Sequence, residues 1–395
     1  MPIYLILTVG TGTAGRHSNL AAGLCSTIKM IGPDRYWLVP SASQDSIVLA
    51  DLVREDIEGF QQWDGDAAPY RCIAHHDSLA DCRAAVREVI AEARRANRKA
   101  RILVNPTSGT KQMSAGATLA ALDESVGEIV FTVGERADGV VKTGTEKLET
   151  FDASAYFAER DLSTAEGLFR AGSFSAAARV LEPHETLAAA RDIALCMAAW
   201  DQFDYEAARQ TAARSEAKAL VPLRAHLAVL ASAARSSSPS LMVVADILDN
   251  ARHHQQRGES GPALVLACKS IEMALRFALW KRTGLADPYN LSGLSELPLP
   301  EHMRGRFRTS SKDGKTTILG LSQVADILKE LGDPLAKEWF GNNPLRETVL
   351  IRNVLTHSIR AVSLAEAQAA VSAAREFVSV LPLPTVPARP STLKP

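Results

Sequence analysis

Paired cysteines, long apolar runs and a dominant charge are all missing from this sequence, and each absence removes a class of protein. The five cysteines, Cys25, Cys72, Cys82, Cys196 and Cys268, are odd in number, scattered and free of any CxxC pair. That pattern excludes a disulfide framework, a cysteine-bound zinc site and a redox pair, and it fits reduced thiols in a cytoplasm. No apolar run approaches the roughly 20 residues of a membrane span, so no membrane partner is expected. Lys and Arg number 44 against 45 Asp and Glu, a net charge of -1. Such a chain does not coat nucleic acid by bulk electrostatics, and any basic surface must be local. The apolar opening Pro2–Leu7 has no preceding Lys or Arg and ends at a glycine loop, which suits a buried strand better than a secretory segment.

What is present is length and a change of pattern. With 395 residues, two or three domains can each bury a core. Ile3–Val9, Tyr36–Val39, Tyr70–Ala74, Ile102–Asn105 and Glu128–Val133 read as strands. Ser18–Met30, Asp45–Gly59, Ser78–Asn97 and Thr110–Asp123 read as helices between them. The alternation predicts an α/β domain over 1–152 with a mostly parallel sheet, and Val140–Glu149 closes it as a hairpin or edge strand.

Beyond residue 155 the strand signal ends and alanine-rich helical periodicity takes over. Two weak helix-turn-helix copies, around Phe169–Phe174 and Trp200–Ala208, are too few for a solenoid and predict a helical connector over 153–238. The break Ser236–Ser240 precedes an all-α block over 239–382, with helices at Ala245–Arg257, Ala263–Thr283, Leu321–Leu331, Arg346–Ile359 and Leu364–Val380. Residues 383–395 are Pro-rich and read as a flexible tail.

Two loops carry the chemistry of the first domain. Gly10-Thr11-Gly12-Thr13-Ala14-Gly15 is a formal G-x-G-x-x-G between a strand and a helix, where amides can approach a phosphate. A nicotinamide-binding oxidoreductase would want a carboxylate at the end of the second strand, yet Pro40-Ser41-Ala42-Ser43 follows there. A tight turn without ligand is the other alternative. The second loop, Asn105-Pro106-Thr107-Ser108-Gly109-Thr110-Lys111-Gln112-Met113, adds hydroxyls, amides, a helix N-terminus and a lysine on the same sheet edge. Neither loop has P-loop spacing, so the ligand is expected to carry phosphate or ribose without being held as a P-loop holds ATP.

These two stretches resemble the CARF domain of CRISPR-associated proteins of type III systems, in which an N-x-T-x-G-T-K-x-M run follows the fourth strand. The resemblance covers about residues 1–152. It implies a Rossmann-like homodimeric sensor for a cyclic oligoadenylate of four or six units (cA4 or cA6), made by the type III effector complex. Gly10, Thr11, Gly12, Thr13, Asn105, Thr107, Ser108, Gly109, Thr110 and Lys111 would form the ligand site, with Ser41 and Ser43 as further candidates. Whether such a domain also degrades its activator, as a ring nuclease, stays open.

Three Arg-x4-His intervals occur, at Arg71/His76, Arg179/His184 and Arg352/His357. The last lies in an apolar helical stretch and has Asn353 after its arginine. In this it resembles the R-x4-6-H motif of HEPN ribonucleases. Asn353 and His357 share a helix face, whereas residues five apart diverge by about 140°. Two copies meeting across a dimer axis would bring two arginines and two histidines around one phosphate, as the resemblance also implies.

The chemistry expected is metal-free cleavage of single-stranded RNA. The 2′-hydroxyl attacks the adjacent phosphate, with His357 in proton transfer, Arg352 on the developing charge and Asn353 orienting. Arg304, Arg306 and Arg308 suggest a loop contacting RNA phosphates, and Glu272 reads as a structural ion-pair partner. The expectation is thus a cytoplasmic, oligoadenylate-activated endoribonuclease, with a non-catalytic sensor that binds RNA or protein as the alternative.

Overall fold

The structure, a computed structural model, describes residues 1–11, 17–64, 69–137, 140–142, 144–311 and 313–394. It divides into two compact units, Met1–Arg160 and Asp161–Pro395.

The first unit is built on β1 (Ile3–Val9), β2 (Arg35–Pro40), β3 (Arg101–Asn105), β4 (Glu128–Val133) and β5 (Lys147–Asp152), in the order β2-β1-β3-β4-β5. The first four are mutually parallel, and β5 runs antiparallel to β4 at the edge. Leu5 lies opposite Tyr36 on one side and Leu103 on the other. Alternate residues of β1 serve opposite faces. Leu5, Leu7 and Val9 join Tyr36 and Leu38 under α1 (His17–Ile31) and α2 (Gln44–Asp56). Tyr4 and Ile6 join Trp37, Val104 and Ile129 under α3 (Leu79–Ala96) and α4 (Lys111–Asp123). Helices on both faces explain why the strands read as continuous apolar runs. Ser43, Ser78 and Thr110 cap α2, α3 and α4 through their hydroxyls.

One expected strand is absent. Tyr70–Ala74 forms a loop that buries Tyr70 and Ile73, and a single bridge from Ser41 to Ile73 replaces a ladder. Two bonds hold it, Ile73 N to Pro40 O at 2.8 Å and Ala42 N to Ile73 O at 3.0 Å.

The second unit is helical, with two cores. After α5 (Ser154–Arg170) come α6 (Phe174–Leu181), α7 (Ala188–Asp201), α8 (Tyr205–Arg214) and α9 (Arg224–Arg235), packed through Phe169, Leu181, Met197, Trp200, Leu223 and Leu230. Then follow α10 (Leu241–Gln256), α11 (Ser260–Thr283), α12 (Leu291–Glu296), α13 (Glu301–Ser310), α14 (Leu321–Glu330), α15 (Pro334–Gly341), α16 (Asn343–His357) and α17 (Leu364–Val378). Their core includes Leu264, Ile271, Leu275, Leu328, Trp339, Leu345 and Phe377. Asp246 on α10 is fully buried and accepts from Trp200 Nε1 and Tyr205 OH, each at 2.8 Å, so a polar joint ties the helices of 153–238 to those of 239–382.

Two expectations are corrected here. The segment of Arg304, Arg306 and Arg308 is not a loop but the helix α13, because Met303 and Phe307, one turn apart, are both buried in the core. Arg304 donates to Leu297 O at 3.1 Å, and Arg308 lies 3.7 Å from Glu301. The chain after residue 382 is not a free tail. Val386 and Leu393 pack on the core of α6–α9, and the Arg389 guanidinium lies 4.6 Å from the Trp200 ring centroid and 3.3 Å from Asp201. Truncating the buried Leu393, 1% exposed, to Ala should cost about 2 kcal/mol or more. Thermal denaturation reads this, and an unchanged midpoint would mean that the segment is not docked.

Candidate functional site

The strand order reverses beside β1, and the two glycine loops leave β1 and β3 there, at their carboxyl ends. That crevice is where open α/β sheets take ligands. The loops touch. Thr8 Oγ1 donates to Ser108 O at 2.5 Å, and Gly10 N donates to Ser108 Oγ at 3.1 Å. A Cβ added at Gly10 would stand 2.6 Å from Gly109 N and closer still to its Cα. Gly109 itself has φ +118°, and a Cβ there would meet Met113. Both positions therefore require glycine.

Behind the loops lies a polar network. Asn105, 1% exposed, donates through Nδ2 to Thr132 Oγ1 at 3.0 Å and accepts from Thr107 N at 3.0 Å. Thr107 Oγ1 accepts from Thr132 N at 2.8 Å, and Thr27 and Thr132 hydroxyls lie 2.9 Å apart. Thr110 Oγ1 accepts from Met113 N and donates to His76 O at 2.8 Å. Asn105, Thr107, Ser108 and Thr110 thus shape the loop, while Gly109 and Lys111 are exposed at the start of α4. That first turn holds no acidic residue, so its amides and Lys111 present positive potential. Ser41 is buried with its hydroxyl 3.0 Å from that of Ser43, and Ser43 is occupied as the cap of α2. Gly12 and Thr13 lie outside the described residues. Thr27 and Thr132 were missed by sequence reasoning, although each interrupts an apolar run.

The second site is on α16, which starts at the Asn342 cap with Pro344 in its first turn and stays helical through His357. Leu345 and Val349 enter the core and fix its rotation. Arg352 is half-buried, and the buried Cys268 on α11 places its Sγ 3.5 Å from Thr348 O, one turn before Arg352. Asn353 and His357 face solvent beside Leu350 and Val354, which are 62% and 44% exposed. One chain therefore turns its arginine and its histidine to different sides.

The other two Arg-x4-His intervals are tied up elsewhere. Arg71 pairs with Glu88, and His184 lies 2.9 Å from Asp161. Glu272 is a structural partner of Arg276, at 3.0 Å from its Nε. Among the described residues, no group of three or more His, Cys, Asp or Glu is arranged to hold a metal ion, and no helix is long and apolar enough to cross a membrane.

Residues 233–381 match the family model of the Csm6 HEPN domain, a span that contains Arg352, Asn353 and His357 and neither of the other intervals. The fold is similar to that of Enterococcus italicus Csm6 bound to cyclic hexa-2'-fluoro-hexa-dAMP. The likeness has a TM-score of 0.53 and 16% sequence identity, over 97% of this chain and 95% of that one. No curated protein matches the sequence.

The close approach of the loops has a direct test. Gly10→Ala should destabilise the chain by about 1–3 kcal/mol through overpacking. Gly23→Ala, whose added carbon meets only Glu146 Oε1 at 3.6 Å, should be neutral or stabilising by up to about 1 kcal/mol. Equal melting temperatures for the two variants would contradict the contact.

Proposed function

We propose that this chain, whose residues 233–381 match the Csm6 HEPN model and whose fold is similar to that of Csm6, is a CARF–HEPN endoribonuclease switched on by a cyclic oligoadenylate. The observation that carries this reading is the placement of Arg352, Asn353 and His357 within the HEPN match, on a helix whose solvent face is partly apolar.

In the first unit the activator binds over the touching glycine loops. Gly10, Thr11, Gly109 and the first-turn amides of α4 approach its phosphates or riboses, and Lys111 adds a mobile charge. Asn105, Thr107, Ser108 and Thr110 hold the loop in shape. The ligand of the similar structure is a cyclic hexanucleotide, which favours cA6 over cA4 here.

In the second unit two copies of the chain meet through the face of Leu350, Val354 and His357. Each α16 supplies one Arg352 and one His357 to a shared cleft for single-stranded RNA. The RNA 2′-oxygen bonds to the adjacent phosphorus as its proton leaves, and the bond to the 5′-oxygen breaks as that oxygen is protonated. The products are a 2′,3′-cyclic phosphate and a 5′-hydroxyl. His357 moves these protons, Arg352 holds the charge growing on the non-bridging oxygens, and Asn353 orients the imidazole or the phosphate. The RNA supplies its own nucleophile, so no metal is required. Arg306 and Arg308 on α13 contact RNA phosphates outside the cleft, and the helices of 153–238 transmit activator binding to the cleft as a coupling between two sites.

Labelled single-stranded RNA, incubated with and without cyclic tetra- or hexa-adenylate in the presence of EDTA, tests the reading. Cleavage should need the activator, leave 2′,3′-cyclic ends, and fall by roughly 10²–10⁴-fold in His357→Ala. Unchanged cleavage in that variant would remove His357 from the mechanism. Lys111→Ala should raise the activator concentration needed for half-maximal cleavage and leave the saturated rate intact. An unshifted activation curve would take Lys111 out of the ligand site.

A further inference from the structure

Resting on the reading of the chain as a ribonuclease, we propose that a pocket on α11 holds one nucleotide of the single-stranded RNA, with Phe203 stacking on its base and Lys269 meeting its phosphate. The pocket lies within the second unit and has a volume of about 490 Å³. Small-ligand sites span about 300–1,000 Å³. Its walls come from the start of α8, the break at 236–240, α10 and α11. Leu266, Lys269, Met273 and Arg276 line it from one face of α11, at intervals of three and four residues. Lys269 follows Cys268, whose Sγ lies 3.5 Å from Thr348 O on α16. One residue is about 100° of helix, so the pocket occupies the face of α11 next to the one that meets the helix of Arg352 and His357.

Each part of a nucleotide finds matching chemistry. Phe203, Tyr205, Val243, Ile247 and Met273 give an apolar wall with an aromatic ring, and Ser236, Ser237 and Ser238 bring hydroxyls. The carboxylates nearby are already held, because Arg276 lies 2.9 Å from Glu272 and 3.0 Å from Asp287. Lys269 stands 3.4 Å from Glu272 with its side chain 49% exposed, free to turn to a phosphate. Arg276 Nη1 is buried beside Asp287 without a hydrogen bond, which leaves a donor for a ligand oxygen. Aromatic stacking joined to basic side chains is how single strands are held without reading their sequence. The backbone at Phe203 is a second, independent observation. Between α5 and α6 the left-handed position is Gly172, φ +77°, with Gly172 N bonded to Phe169 O at 3.0 Å and Ser173 N to Leu168 O at 2.9 Å. The same two bonds close the turn between α7 and α8, from Phe203 N to Trp200 O at 3.0 Å and from Asp204 N to Ala199 O at 2.9 Å. There the left-handed residue is Phe203, φ +62°. Glycine is the ordinary choice at such a turn, and a bulky side chain is strained. The chain keeps that strain and with it a ring at the pocket, its centroid 6.1 Å from that of Tyr205.

The test uses the full-length chain with activator and has two readouts. In the first, single-stranded RNA carrying 4-thiouridine is irradiated with the His357→Ala chain, and the cross-linked peptide should contain Phe203 or Met273. In the second, cleavage kinetics compare wild type, Phe203→Gly, Phe203→Tyr and Lys269→Ala. Phe203→Gly keeps the turn and should raise KM about tenfold, the weight of one stacked base, with kcat changed less than about twofold. Phe203→Tyr keeps the ring and should stay within about twofold of the wild-type KM. Lys269→Ala should raise KM and flatten its salt dependence. Because Lys269 is exposed, that variant keeps the test readable should Phe203→Gly lose stability. Wild-type KM in both Phe203→Gly and Lys269→Ala, beside normal activated cleavage, would overturn the inference and leave the ribonuclease reading standing. Cross-links confined to other peptides would overturn it too. If RNA leaves the pocket unlabelled while adenosine 5′-monophosphate binds wild type and not Phe203→Gly, the site takes a free nucleotide and the RNA assignment falls. Cross-links in the pocket with no cleavage by the wild-type chain would instead sink the ribonuclease reading.

Discussion

A regular helix turns about 100° per residue, and α16 cannot escape that step between Arg352 and His357. Leu345 and Val349 lock its rotation in the core, and the arginine lies half-buried while the histidine is exposed. Residues five apart on one helix diverge by about 140°, so one chain presents the two groups at a wide angle. The same constraint leaves Leu350 and Val354 exposed beside His357, an apolar strip that water covers poorly. In the proposed reading, a second copy of the chain answers the divergent Arg352 and His357 and the exposed apolar strip together.

The N-terminal unit solves a different problem with backbone. Gly10 and Gly109 approach so closely that no side chain fits between the loops, and Asn105, Thr107, Ser108 and Thr132 bond one another behind them. Most side-chain hydroxyls near the crevice are consumed in building it. Among the described residues, main-chain amides, the start of α4 and the ammonium of Lys111 remain for a ligand. These groups suit phosphates and riboses and carry little information about a particular base.

Much of this was legible in the sequence, for physical reasons. Ile3–Val9 and Glu128–Val133 are strands with the bounds their apolar runs suggest. Both faces of β1 are covered, and a glycine follows each strand. The two glycine loops could be placed on one sheet edge from alternation alone, but their direct contact depends on pairing of β1 with β3, which is not local. Tyr70–Ala74 was misread because a loop buried on a sheet is as apolar as a strand. Arg304, Arg306 and Arg308 hid the spacing of Met303 and Phe307 that makes α13. The Pro-rich composition after residue 382 concealed Arg389 and Leu393, whose anchors, Trp200 and Asp201, lie far back in the chain.

The composite cleft is the claim on which the proposed mechanism turns, and subunit mixing tests it most directly. Arg352→Ala chains and His357→Ala chains, each inactive by itself, would be mixed and allowed to exchange subunits with activator and RNA present. A cleft shared between two chains regains cleavage on mixing, because each heterodimer joins one intact arginine to one intact histidine. A site complete within one chain stays silent at every mixing ratio, and that silence, with exchange confirmed by differently labelled subunits, would contradict the composite centre.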